Sequence, residues 1–324
     1  MEYRRLGHSG LHVSALGLGS WITFAGALDR GGARRLVARA FDAGVSLFDS
    51  AENYACGQAE AWLGDVIADL RLPRDSLCLS SKAFFGAVPD PRPTQRGLSR
   101  KHLRDACDAA LRRLRTEYLD IFFCHRPDPD TPIEETVAAM HQLVCAGKVL
   151  YWGTSEWPAE RIRAALRCAR ENGLTPPSVE QAQYNLLHRE RVEFEYAPLY
   201  DDPGLGLTTW SPLASGLLSG KYAQGRIPEG SRRARRDHGW HEGILPGASD
   251  ARDAAVARLM DLAADLGETP AALAIAWCLR NPKVSSVILG CSSIAQLDAN
   301  LTALALADRL EPATLARLDA LAGA

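Results

Sequence analysis

Hydrophobic positions along the chain alternate between two periods. Short β-branched or apolar runs near residues 14–18, 45–49, 77–81, 118–124, 149–153, 178–182, 206–210 and 286–290 predict strands. Between them, stretches such as 32–43, 100–114 and 133–146 return an apolar residue every three or four positions, the spacing of an amphipathic helix. Eight strand–helix repeats in this length predict a (β/α)8 TIM barrel rather than a sandwich. Ahead of the first repeat, apolar and polar residues at 3–6 and 11–14 flank His8-Ser9-Gly10, predicting an N-terminal β-hairpin that closes the barrel bottom. The interval after the seventh strand is the longest. It opens with a Gly/Arg-rich, sparsely apolar segment at 211–249 that reads as a functional loop, followed by helices at 251–266 and 269–280, with a last helix at 313–322. No linker interrupts the pattern, so a single domain over 1–324 is expected.

Three of these strand runs end in polar groups that side-by-side parallel strands would gather at one mouth: Asp49 followed by Tyr54, then Lys82, then His125. The doubly wound alternative needs a dinucleotide fingerprint. Gly17-Leu18-Gly19-Ser20-Trp21-Ile22 supplies two of its three glycines and no helical pattern behind them.

Composition narrows the partners. The formal net charge is −2 over 324 residues, which favours neither nucleic acid nor a polybasic membrane surface. A small molecule is the expected partner. Eight cysteines form no C-x-x-C pair and several sit in apolar runs, as reduced buried thiols would. No signal-like apolar stretch opens the chain and about 18 uncharged apolar residues never occur together, so no membrane insertion and a cytoplasmic location are expected. Asp237-His238-Gly239-Trp240-His241 contains an H-x-x-H pair without further clustered ligands, and no metal is expected.

Phe48-Asp49-Ser50-Ala51-Glu52-Asn53-Tyr54 with Gly57, Glu60, Leu63 and Gly64 resembles the signature block of the aldo-keto reductases. The stretches Arg96–His102, Arg126–Pro129, Tyr151–Ser155, Thr209–Ala214 and Ala274–Asn281 are similar to one branch, the Shaker-type potassium-channel β subunits and their bacterial reductase relatives. The similarity spans essentially the whole chain. It implies an NADPH-dependent reduction of a small carbonyl substrate, and tetramers as in similar proteins.

The chemistry agrees. Carbonyl reduction needs a hydride donor and an acid for the developing alkoxide. Tyr54 is the candidate acid, Lys82 the ammonium expected to lower its pKa, Asp49 the carboxylate that holds Lys82, and His125 a hydrogen-bond donor to the substrate oxygen. An Asp–Lys pair alone could equally be a structural ion pair. The resemblance further implies cofactor contacts from Ser20 and Trp21, from Ser155 and Gln181 to the carboxamide, and from Trp210 stacked on the nicotinamide with Ser211, Pro212, Leu213 and Ser215 beside it. Lys221 and Arg232 would meet phosphates. Gly290 precedes a helix start that can receive a phosphate; Ser292, Gln296 and Asn300 match positions for the 2′-phosphate and adenine. Trp21, Phe84, Phe85 and Trp157 lie past strand ends and could wall the substrate or merely pack loops. Two departures from the branch stand out: Ala27 replaces a glutamine and Glu156 replaces an arginine near the cofactor. His125, where channel subunits carry asparagine, favours an enzyme over the alternative, a dinucleotide-binding redox-sensing regulatory subunit.

Overall fold

A computed structural model describes residues 1–21, 23–229, 231, 234 and 249–321, apart from the side chain at 224. Strands β1 (Tyr3–Arg5) and β2 (His12–Ser14) pair antiparallel as the expected hairpin. The next eight are β3 (Leu16–Gly19), β4 (Leu47–Asp49), β5 (Cys78–Ala83), β6 (Leu119–Cys124), β7 (Val149–Ser155), β8 (Val179–Gln183), β9 (Gly206–Trp210) and β10 (Ser286–Leu289). They close a parallel barrel in sequence order, with β10 joining β3. Both β5 and β6 are buried along their whole length, as strands covered on two faces must be.

The helices follow as α1 (Arg30–Asp42), α2 (Gln58–Leu70), α3 (Arg100–Leu114), α4 (Ile133–Cys145), α5 (Ala159–Glu171), α6 (Ala197–Asp201), α7 (Asp250–Asp265), α8 (Pro270–Arg280), α9 (Ile294–Leu301), α10 (Ala303–Arg309) and α11 (Pro312–Asp319). Their starts are written locally. Asp29, Ser99, Thr269 and Ser293 each accept a backbone N–H from the first turn, and Pro270 sits where its missing N–H costs nothing. Helix α10 is an addition that the hydrophobic pattern did not reveal.

Two cores result. Leu47, Cys78, Ile121, Phe123, Val179 and Ile288 fill the barrel together with Leu6 and Val13 of the hairpin, so the hairpin plugs the bottom. The larger core lies between strands and helices. With the bottom sealed, the C-terminal strand ends form the accessible mouth. Among the described residues no single helix is long and apolar enough to cross a membrane; α7 and α8 reach that length only as a pair bent by 95°.

Candidate active site

The four strand-end residues meet at the mouth. Lys82, fully buried at the end of β5, places its three N–H donors on three acceptors: Asp49 Oδ2 at 2.6 Å, the Ser50 carbonyl at 2.7 Å and Tyr54 Oη at 3.3 Å. Asp49 Oδ1 accepts from Ser80 Oγ at 2.6 Å and Gln181 Nε2 at 3.1 Å, so the buried carboxylate is satisfied on both oxygens. The Tyr54 hydroxyl therefore receives a proton donor from Lys82 and keeps its own hydrogen for another partner. The His125 ring stands edge-on to Tyr54, centroids 5.9 Å apart, with its Nδ1 buried and unpartnered.

Electrostatics corrects one expectation. Burial pushes the Tyr54 phenol well above its ordinary value, Asp49 adds to the rise, and Arg126 opposes it. The sequence reading had Lys82 lowering it. The ammonium is held by Asp49 while it reaches the hydroxyl, and burial sets the direction of the shift. Burial pulls Lys82 down while Asp49 holds it up. Burial, then Lys82 and Arg126, push the His125 imidazole well below its ordinary range, so the ring is neutral at physiological pH.

A cleft of about 630 Å³ leaves this cluster. It runs from Asp49, Tyr54 and Trp21 past Trp210, Ser211, Pro212 and Leu213 to Ser215, Lys221, Gly290, Ser292, Gln296 and Asn300. Its central wall bends through left-handed backbone at Ser211, Ala214, Ser215 and Gly216. Runs of this kind turn successive N–H groups to one side and suit an anion.

Comparison with known proteins fits that geometry. The model of the Aldo/keto reductase family matches residues 15–322. The chain belongs to the aldo/keto reductase family. Two relatives carry the name probable voltage-gated potassium channel subunit beta: one from Arabidopsis thaliana, 44% identical over 98% of this chain and 96% of its own length, and one from Oryza sativa subsp. japonica, 45% identical over 99% and 96%. The family is one of oxidoreductases that generally use NAD(P)H.

Most residues that the family resemblance nominated line the cleft; a few do not. Ser20 is buried with its hydroxyl donating to Ser50 Oγ at 2.9 Å, and Ser155 is buried at the end of β7 beside Arg126, so neither borders the cleft. Trp157 departs furthest. Of its two alternatives, walling the substrate or packing loops, the structure shows packing: Glu156 adopts φ +59° and turns the chain so that the indole is fully buried in the core, where Tyr196 donates to the Trp157 carbonyl at 2.7 Å. Trp21 and Phe85 do flank the site: Trp21 lies 6.3 Å from both Tyr54 and Trp210, and Phe85 stacks edge-on to His125 at 5.1 Å. Phe84 leans on Phe85 at 5.0 Å and on the core. Arg232, the 238–241 histidine pair and most of the 226–249 loop lie outside the described residues, among which no cluster of metal-ligating side chains occurs.

Three residues escaped the sequence reading. Buried Glu52 accepts from the N–H groups of Phe84 and Gly86 at 2.7 and 2.8 Å and contacts His102 at 3.1 Å, fixing the loop that carries the two phenylalanines. Its place inside the signature block was the available signal. Glu156, read only as a missing cation, accepts from Trp210 Nε1 at 3.0 Å and from Gln183 N at 2.6 Å and pairs with Arg191 at 3.2 Å. It orients the indole that faces the cleft. Arg126 follows His125 directly and projects beside the cluster of Asp49, Tyr54, Lys82 and His125.

Proposed function

We propose that the protein reduces aldehydes or ketones to alcohols using NADPH, with Tyr54 as the acid. The observation that carries this reading is the donation from Lys82 to Tyr54 Oη. A phenol whose lone pair is engaged by a buried ammonium presents its proton outward, and gains stabilisation from the same contact as it becomes phenolate. Its high resting pKa keeps it protonated until an alkoxide, a much stronger base, develops beside it. Asp49 keeps Lys82 ionised and aimed. Neutral His125 has one N–H to offer the substrate oxygen and orients the carbonyl against Tyr54. The proton leaves Tyr54 for the product oxygen and is replaced from solvent.

Bound NADPH would supply the hydride to the carbonyl carbon. The residues present fit it. Trp210 and Trp21 give an aromatic platform, and Gln181, whose Nε2 is committed to Asp49, keeps its carbonyl oxygen for a carboxamide N–H. The left-handed run at 214–216 and Lys221, which has no carboxylate partner among the described residues, suit a pyrophosphate. Ser292, Gln296 and Asn300 at the far end would receive the 2′-phosphate and adenine. Assembly into a tetramer, which the resemblance implies, is checked by light scattering.

The test is consumption of NADPH, with NADH for comparison, on a panel of aldehydes and ketones by wild type and Tyr54→Phe. Loss of about 10²–10⁴-fold in kcat with cofactor affinity kept is expected, because only the proton donor is removed. A second reading, a regulatory subunit that binds the dinucleotide and reports its redox state, is favoured by the names of the two relatives. It predicts tight NADPH binding with no Tyr54-dependent turnover.

A further inference from the structure

Arg126, beside the cluster, contacts no carboxylate among the described residues. It follows β6, half-buried. Its Nη1 donates to the His125 carbonyl at 2.5 Å and reaches Ser155 Oγ at 3.5 Å, while Nε and Nη2 have no partner among the described residues. Its guanidinium carbon lies 5.8 Å from the centroid of Phe85, the ring that packs against His125. Four other partly buried arginines behave differently: Arg74, Arg113, Arg189 and Arg191 each contact a carboxylate.

The carboxylates near the reacting position have partners: Asp49 pairs with Lys82, Glu156 with Arg191, and buried Glu52 accepts from the Phe84 and Gly86 N–H groups and contacts His102. Arg126 has no carboxylate partner among the described residues, and it is close enough that its field is felt at Tyr54, Lys82 and His125. Partial burial of a guanidinium with open donors costs solvation that an anionic ligand restores, and its planar fork matches carboxylate or phosphate in two-point contact.

We propose that Arg126 is the substrate-selecting residue of this site, binding a carboxylate or phosphate carried a few atoms from the carbonyl, so that the preferred substrates are anionic aldehydes or ketones. Catalysis in this proposal rests on the reductase reading above; anion binding does not. Phe85, beside both Arg126 and His125, would cover the spacer.

Matched substrates test it: succinic semialdehyde against butanal for a carboxylate, glyceraldehyde 3-phosphate against glyceraldehyde for a phosphate, each with NADPH at fixed ionic strength. In wild type the anionic member of at least one pair should lead in kcat/KM by roughly 10- to 100-fold, the range of a hydrogen bond to a charged group. Arg126→Gln should abolish that lead, the anionic member falling at least about 10-fold further than the neutral one, and Arg126→Lys should restore part of it. The pair that responds tells carboxylate from phosphate. Equal kcat/KM within both pairs in wild type, or an equal fall for both members in Arg126→Gln, overturns the proposal; the latter would mean that Arg126 acts on its catalytic neighbours and not on the substrate. If no carbonyl is turned over, quenching of tryptophan fluorescence by succinate and by inorganic phosphate decides separately. Saturable quenching lost in Arg126→Gln upholds the anion site although the reductase reading has failed, and quenching that is absent or unchanged by the substitution overturns it.

Discussion

On β4, β5 and β8 the polar groups are buried and satisfy one another: Lys82, Asp49, Ser80 and Gln181 form a closed set around Tyr54. Across the mouth, the segment after β9 and the start of α9 are built from backbone. Left-handed residues stand at Ser211 and at 214–216, Lys221 lacks an acidic partner among the described residues, and the Ser292 and Gln296 side chains hydrogen-bond each other at the surface. The first half is finished before any ligand arrives, while the second half offers donors and charge that a dinucleotide would use. On the proposed reading, preorganisation is concentrated where a proton would move, and adaptability where a large flexible molecule would enter.

The largest expected effect comes from opening the closed half. Lys82→Met removes the partner of a carboxylate that is only 3% exposed. Leaving Asp49 charged and unpaired should cost about 3–5 kcal/mol in urea unfolding, and carbonyl reduction should vanish with it. The double variant with Asp49→Asn should recover much of the stability and none of the activity. A single variant as stable as wild type would show that the cluster is not the closed unit described.

Perturbing the open half should spare stability and strike binding. Gly216 has φ +93°, and an added Cβ would come within 2.6 Å of Lys221 Cε. Gly216→Ala should displace Lys221 and weaken NADPH by roughly tenfold in a fluorescence titration, at a stability cost near 1 kcal/mol for the left-handed alanine. Unchanged affinity would remove Lys221 and this bend from the cofactor site.

The same division explains what could be read from sequence. Strands such as β6 were legible because strands covered on both faces are nearly continuous apolar runs, and a polar residue ending such a run must lie at the barrel rim. Asp49, Lys82 and His125 follow from that rule alone. What escaped depends on turns and on distant partners. Nothing local to Glu156 says that its backbone turns left-handed, burying Trp157, or that its carboxylate will meet the indole of a residue 54 positions on. Sequence places Arg126 beside His125, yet its missing counterion is a property of every neighbouring element together. The direction of the Tyr54 shift escaped likewise, since it depends on how deeply the folded chain buries the hydroxyl and on the Asp49 charge brought beside it.

Glu180, on β8 between the two halves, offers the smallest and most local test. It is fully buried, hydrogen-bonds Thr154 Oγ1, and lies 3.4 Å from the Tyr196 hydroxyl. Burial, reinforced by repulsion from Glu156 and opposed by Thr154 and the N–H groups at 156 and 157, pushes its carboxyl from 4.5 up to about 8. The folded state thus holds a proton that the unfolded chain releases near pH 4.5. Its contribution is complete below that pH, is lost as pH rises toward about 8, and is constant beyond, with a slope of at most about 1.4 kcal/mol per pH unit. Glu180→Gln keeps the shape of the protonated form and cannot titrate. Unfolding measured on both proteins should give a wild-type stability that declines relative to the variant between pH 5 and 8. A constant difference would mean that Glu180 is already ionised and that its neighbours carry a second buried charge, extending the closed half through β8 to the turn that holds Trp210.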